Sequence, residues 1–163
     1  MVTIRPYCES DAESVGALIA DTFSRYNLSD MPPEQRDQLL GPFLHARSAE
    51  RPHRQAIAEA IRAEMVFVAE ADGQIVGVLR GRSDKLQSLF VRGDRHRQGI
   101  GQGLVERFEQ ACVRQGATVI RVQATLYAVP FYLKMGYKRS TGVRSMRIFG
   151  GAGFRYQPMK KVL

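Results

Sequence analysis

Apolar and polar residues alternate at the very start of the chain, and then the period lengthens. Val2 and Ile4 interleave with Thr3 and Arg5, the two-residue repeat of a half-buried strand. Beyond Glu9-Ser10-Asp11, apolar Val15, Leu18, Ile19 and Phe23 recur at helical spacing, which predicts a helix that Ser10 or Asp11 can cap with a side-chain oxygen. Residues 27–33 are rich in turn formers, and Pro42 and Pro52 interrupt the next stretch, so 34–63 reads as two or three short helices. Such a region either shapes a substrate pocket or covers a sheet, and the sequence leaves both open.

From Met65 the pattern is that of strands. Val66-Phe67-Val68 and Ile75-Val76-Gly77-Val78 flank Asp72-Gly73, a hairpin turn whose two positions tolerate positive φ. A third run, 86–91, comes after a loop around Ser83-Asp84 and completes an antiparallel meander. A glycine-rich turn comes next. It opens a helix in which Leu104, Val105, Phe108, Ala111 and Cys112 share a face until Gly116 stops it. A strand at 118–122, a short helix with Phe131, Tyr132 and Met135, and two strands around Gly150-Gly151 finish the chain. Neither repeats nor linkers interrupt it. The expected architecture is α/β, a mixed and mostly antiparallel sheet of about six to seven strands flanked by helices.

Composition narrows the class. A chain of 163 residues, 44% hydrophobic, supports one core and one domain, residues 1–163. Cys8 and Cys112 are far apart and show no metal-type spacing. No leader-like segment and no apolar run of membrane-spanning length is present, so the expected setting is a reducing cytoplasm, away from membranes. The net charge of +8 suits polyanions, but the arginines of the first half are interleaved with acids. The densest basic patch, Arg92, Arg95, His96 and Arg97, lies inside the glycine-rich turn, where a small polyphosphate accounts for it as well as a nucleic acid does. No nucleic-acid partner is expected.

The segment LFVRGDRHRQGIGQGLVERF places an apolar strand, a basic turn and Gly99, Gly101 and Gly103 before an amphipathic helix. The first turn of a helix has N–H groups without intrahelical partners, its dipole adds positive potential, and glycines let a phosphate approach closely. A Walker loop would need Gly-Lys-Ser or Gly-Lys-Thr, and a dinucleotide fingerprint would come after the first strand of a βαβ unit; neither condition is met. Glycines that only permit tight helix–strand packing are the other reading of the turn.

His96-Arg97-Gln98-Gly99-Ile100-Gly101, after the apolar strand, resembles the Gln/Arg-x-x-Gly-x-Gly/Ala acetyl-CoA signature of the GNAT superfamily of N-acetyltransferases, with His96 where Gln or Arg is usual. Downstream, ATLYAVPFYLKMGYKRS is similar to that family's Asn-x-x-Ala-x-x-x-Tyr-x-x-x-Gly-Phe, with Thr125, Ala128, Tyr132, Gly136 and Tyr137 on its positions. The resemblance covers the whole chain, sparsely across 27–64. It implies acetyl-CoA as co-substrate and transfer of acetyl to a primary amine of a small molecule or polypeptide, by direct attack in a ternary complex. It implies that the main chain of Leu89, Phe90 and Val91 pairs with the pantetheine arm. The turn His96, Arg97, Gln98, Gly99, Ile100, Gly101, Gln102 and Gly103 would hold the pyrophosphate, and Thr125 would offer a side-chain hydrogen bond.

By the same resemblance Tyr132 is the general acid that protonates the leaving thiolate; the alternative is a core aromatic. No carboxylate stands where the family often has its base: those places hold Lys85, Gln87, Ile120 and Arg121, and nearby Asp84 reads as a turn residue or a water-relayed base. Missing base, His96 and Thr125 together keep a second reading open, a CoA-binding regulatory protein without turnover. No metal is expected, because no histidine pair has ligand spacing. The strand character of 146–163 at the sheet's end favours a homodimer.

Overall fold

The computed structural model describes residues 1–163. Strand β1 (Val2–Pro6) leads through a 3₁₀ turn into helix α1 (Ala12–Tyr26), and α2 (Pro33–Leu40), a 3₁₀ turn and α3 (Arg51–Ile61) come after it. The meander is β2 (Met65–Ala71), β3 (Gln74–Arg82) and β4 (Lys85–Val91), succeeded by α4 (Ile100–Arg114), β5 (Val119–Thr125) and α5 (Val129–Lys134). The chain ends in β6 (Lys138–Arg139), β7 (Arg144–Ile148) and β8 (Gly151–Val162). The sheet has eight strands in the order β1-β2-β3-β4-β5-β8-β6, with β7 also on β8, one strand more than the top of the expected range. The extra one is β6, whose two exposed residues carry no alternation that a sequence pattern could register.

Two cores sandwich the sheet. One face buries Phe67, Leu79, Leu86 and Val122 under Leu104, Val105 and Phe108 of α4, and the other buries Val68, Val78 and Phe154 under α1, α2 and α3. Phe108 reaches the sheet because Gly81 makes room: a Cβ there would stand 2.5 Å from the Phe108 ring.

The start of α1 differs from expectation. Ser10 and Asp11 do not cap it; Glu9–Asp11 forms a 3₁₀ turn, and no side-chain cap bond is made at α1. The Asp11 carboxylate turns back instead, accepting Cys8 N–H at 2.9 Å and both terminal Arg5 nitrogens at 2.8 and 2.9 Å. Arg5 wins because a bidentate, charge-assisted pair is stronger than a single cap bond. It holds Asp11 at a pKa of about 2, against 3.8 ordinarily.

The tail departs from expectation too. β8 is an interior strand, paired with β5 on one side and with β6 and β7 on the other, so the outer edge at this end belongs to β6 and β7. At the middle of the sheet, β4 and β5 run parallel but pair only at Lys85↔Arg121 and Leu86↔Val122. Past those residues the two strands separate, and the sheet splits into a V.

Candidate active site

The split opens a cleft of about 1090 Å³. One wall is β4 from Gln87 to Val91 with the glycine-rich turn; the facing wall is Gln123 and Thr125 of β5 with Phe131, Tyr132 and Lys134 of α5. Helix α1 and the β7–β8 hairpin close the far end with Phe23, Phe149 and Phe154.

The register fixes which backbone groups of β4 face the opening. Arg92 N–H bonds the carbonyl of Val76, and Gly77↔Val91, Val78↔Phe90 and Leu79↔Leu89 are partners. In an antiparallel ladder this phase makes Val78↔Phe90 the hydrogen-bonded pair, so Phe90 spends its main chain on β3, while Leu89 and Val91 turn theirs into the cleft. The expectation that 89–91 all offer main-chain groups narrows to Leu89 and Val91. Phe90 contributes its side chain instead, against Phe23 at 5.8 Å. A register shift between Arg80 and Gly81 leaves Gln87 without a partner on β3, a bulge at the point where β4 departs from β5.

His96 occupies the motif's first position but does not reach outward. Its Nε2 donates to the Val91 carbonyl at 2.7 Å, which fixes the proton on Nε2 and occupies one of that oxygen's two lone pairs. Its ring lies 4.7 Å from Tyr26, which in turn lies 5.3 Å from Tyr127, an aromatic bracket from the turn to the β5 side.

The turn itself is a cluster of free donors. The N–H groups of 97–102 find no acceptor in the protein, whereas Gly103 N–H bonds the Gly99 carbonyl at 2.9 Å. They sit at the N-terminus of the 15-residue α4, whose dipole adds positive potential. Arg97 at φ 61 and Gly99 at φ 80 both take the left-handed conformation that turns the chain into the helix; for Arg97 this costs about 1 kcal/mol. A Cβ at Gly101 would stand 3.2 Å from the Phe131 ring across the cleft, and one at Gly103 would stand 2.7 Å from Ile4 Cδ1. Gly103 is thus a packing glycine between α4 and β1 and lies outside the cleft. Ile100 is buried and anchors the turn, while Arg97 and Lys134 line the cleft and form no ion pair.

Tyr132 is 3% exposed, lines the cleft, and its hydroxyl makes no hydrogen bond to the protein. Burial raises its pKa above the ordinary phenol value, which keeps the proton on oxygen. Tyr137, five residues on, is the structural tyrosine of the pair: its hydroxyl donates to Glu109 at 3.0 Å, and Lys161 holds the same carboxylate. Thr125 Oγ1 has no partner and borders the cleft.

Asp84 is not in the cleft. It pairs with Arg82 at 3.3 Å on the surface, behind the closed end of the V. No aspartate or glutamate lines the opening at all. Cys112 is buried on α4 with its pKa pushed up to about 11, mainly by burial, which makes it an inert thiol. No group of three or more His, Cys, Asp or Glu is placed to hold a metal ion, and no helix is long and apolar enough to cross a membrane.

A family model described as an acetyltransferase (GNAT) domain matches residues 28–163. The chain belongs to the GNAT acetyltransferase family. Its fold is shared with a GCN5-related N-acetyltransferase from Rhodopseudomonas palustris, at 23% identity and a TM-score of 0.79, covering 99% of this chain and 95% of that one. PaiA N-acetyltransferase of Thermoplasma acidophilum, solved in complex with coenzyme A, aligns over 100% of this chain and 99% of its own with a TM-score of 0.72 at 14% identity. The apo form of YjaB from Escherichia coli aligns over 99% and 98% at 19% identity, also with a TM-score of 0.72. No curated protein sequence matches. Tyr26, Tyr127 and Arg80 join the cleft although their sequence surroundings did not single them out; Arg80 shares the strand segment IVGVLRGR with Arg82, so nothing local marks it.

Proposed function

We propose that the protein is an acetyl-CoA-dependent N-acetyltransferase acting as a single domain over residues 1–163. The observation that carries this reading is the run of unpartnered N–H groups at 97–102, at the N-terminus of α4 and beside a strand edge free of a neighbouring strand. Pyrophosphate accepts from those donors, with Arg97 and Lys134 adding charge, and a pantetheine amide bonds to Leu89 and to Val91 N–H as an added strand would. Thr125 Oγ1 is a further donor toward the arm. A neutral primary amine of a small molecule or polypeptide then attacks the thioester carbonyl directly in a ternary complex. Collapse of the tetrahedral intermediate expels CoA thiolate, and Tyr132 protonates it. Since no carboxylate lines the cleft, the amine loses its proton to water rather than to a dedicated side-chain base.

Incubation with acetyl-CoA and a broad panel of amines tests the proposal. Amine-dependent release of free CoA, with a product heavier by one acetyl group, supports it. Tight acetyl-CoA binding without release on any amine supports instead a CoA-binding regulator, the reading that the missing carboxylate favours. The cytoplasm remains the proposed setting, with a second copy of the chain as partner through the open edge of β7; light scattering that finds only monomer excludes that dimer.

A further inference from the structure

One end of the cleft is chemically distinct from the rest. There the walls are Ile19, Phe23, Phe43, Met146, Phe149 and Phe154. Phe149, at the tip of the β7–β8 hairpin, adopts φ 52 and leans on the ring of Phe43 at 6.1 Å. That positive φ belongs to the first position of the two-residue turn between Ile148 and Gly151, and it sets the Phe149 ring beside the cleft.

Arg80 lines the same cleft, on the same face of the sheet as Phe90 and Val78. Its partners are neutral: Nε donates to the Ile61 carbonyl at 2.8 Å, Nη2 to the Arg62 carbonyl at 3.2 Å, and Nη1 to Ser88 Oγ at 3.4 Å. A guanidinium has one N–H on Nε and two on each terminal nitrogen, so one donor on Nη1 and one on Nη2 remain. Burial lowers the pKa of Arg80, as expected for a cation with no opposing charge. The phosphate-binding turn does not explain it, since Arg80 pairs with Ser88, three residues of strand, or about 10 Å, before Val91.

We propose that the acceptor is an amphipathic amine with an apolar, preferably aromatic, body and a carboxylate, and that the two free N–H groups of Arg80 receive that carboxylate in bidentate fashion. The inference rests on the acetyltransferase reading and deepens it. A planar carboxylate matches the spacing of the two donors, and the pair gains strength from its desolvated surroundings. Polycationic amines are disfavoured by the same lining, which gives an extra ammonium no carboxylate and sets it against Arg80.

Two ligands of equal shape separate the charge from the body: N-acetylphenylalanine, which has the form of a transfer product, and its uncharged carboxamide. Calorimetric titration is run on protein saturated with CoA and on protein alone. The carboxylate should bind at least about tenfold tighter than the carboxamide, and Arg80→Met should bring that ratio to about one. Equal affinities for the two ligands in the wild-type protein, or no binding of either, overturn the proposal, and neither result depends on whether Arg80→Met folds. CoA titrated first, by itself, reports on the acetyltransferase reading: absence of CoA binding defeats that reading, while the carboxylate-to-carboxamide ratio in protein alone still decides the role of Arg80.

Discussion

Replacing Tyr132 by Phe removes one oxygen and leaves the ring where it is. The ring packs edge-on to Phe131 at 5.2 Å and to Tyr137 at 5.5 Å, and both contacts survive the change. Since the hydroxyl bonds to nothing in the protein, no hydrogen bond is lost, and stability should stay within about 0.5 kcal/mol of wild type. A tyrosine with a structural hydroxyl would instead cost about 1 kcal/mol and lower the melting temperature. Catalysis should respond differently. A positioned acid is worth about 10²-fold or more, so the loss corresponds to roughly 2.7 kcal/mol of barrier, read as turnover number with acetyl-CoA affinity nearly unchanged. Burial pushes the Tyr132 pKa upward, and upward favours the protonated form, so the wild-type rate should show no fall near neutrality from loss of this proton. Turnover and melting temperature measured on one preparation decide the matter. Near-wild-type turnover in Tyr132→Phe refutes the assignment.

Gly101→Val places a branched side chain 3.2 Å from the Phe131 ring at the mouth of the phosphate turn, and should weaken acetyl-CoA binding about tenfold or more by calorimetry while circular dichroism reports an intact fold. Asp11 has a folded pKa of about 2 against 3.8 ordinarily, a depression, so its contribution is complete above about pH 4 and disappears as pH falls through about 2. Urea melts should show up to about 2 kcal/mol less acid sensitivity across that window in Asp11→Asn, and an unchanged acid slope would mean the Arg5 pair is not strong in solution. A thiol reagent near neutral pH should titrate the exposed Cys8 rapidly and reach the buried Cys112 only after denaturation; two fast thiols in the native protein would contradict the packing of α4.

The helices and the meander were legible because each carries a long periodic signal bounded by punctuation, as in the α4 face from Leu104 to Cys112 closed by Gly116, whose φ is 87. The cleft was legible only in part. Its glycine-rich turn announces itself through glycine spacing, but three facts depend on contacts between distant segments and leave no local trace. The separation of β4 from β5 comes from a ladder of two residues, His96 turns inward because a carbonyl lies within reach, and Gly103 packs against Ile4. Asp11 fails as a helix cap for the same kind of reason: Arg5 competes for its oxygens, and strand–helix proximity is not written in either segment alone. Arg80 drew no notice in the sequence, because its lack of an acidic partner emerges only once β3 packs beside the end of α3 and Ser88.

The central claim is that acetyl-CoA sits on the free backbone donors at the start of α4. Amide resonances of uniformly ¹⁵N-labelled protein, tracked during an acetyl-CoA titration, test it most directly, because a hydrogen bond to phosphate moves the resonance of the donating N–H itself. The account predicts saturable shifts concentrated at 97–102 and at Leu89 and Val91, with Gly103 and Phe90 far less affected, since their N–H groups already donate within the protein. Saturation with acetyl-CoA that leaves 97–102 unmoved, or shifts only elsewhere on the surface, would contradict it.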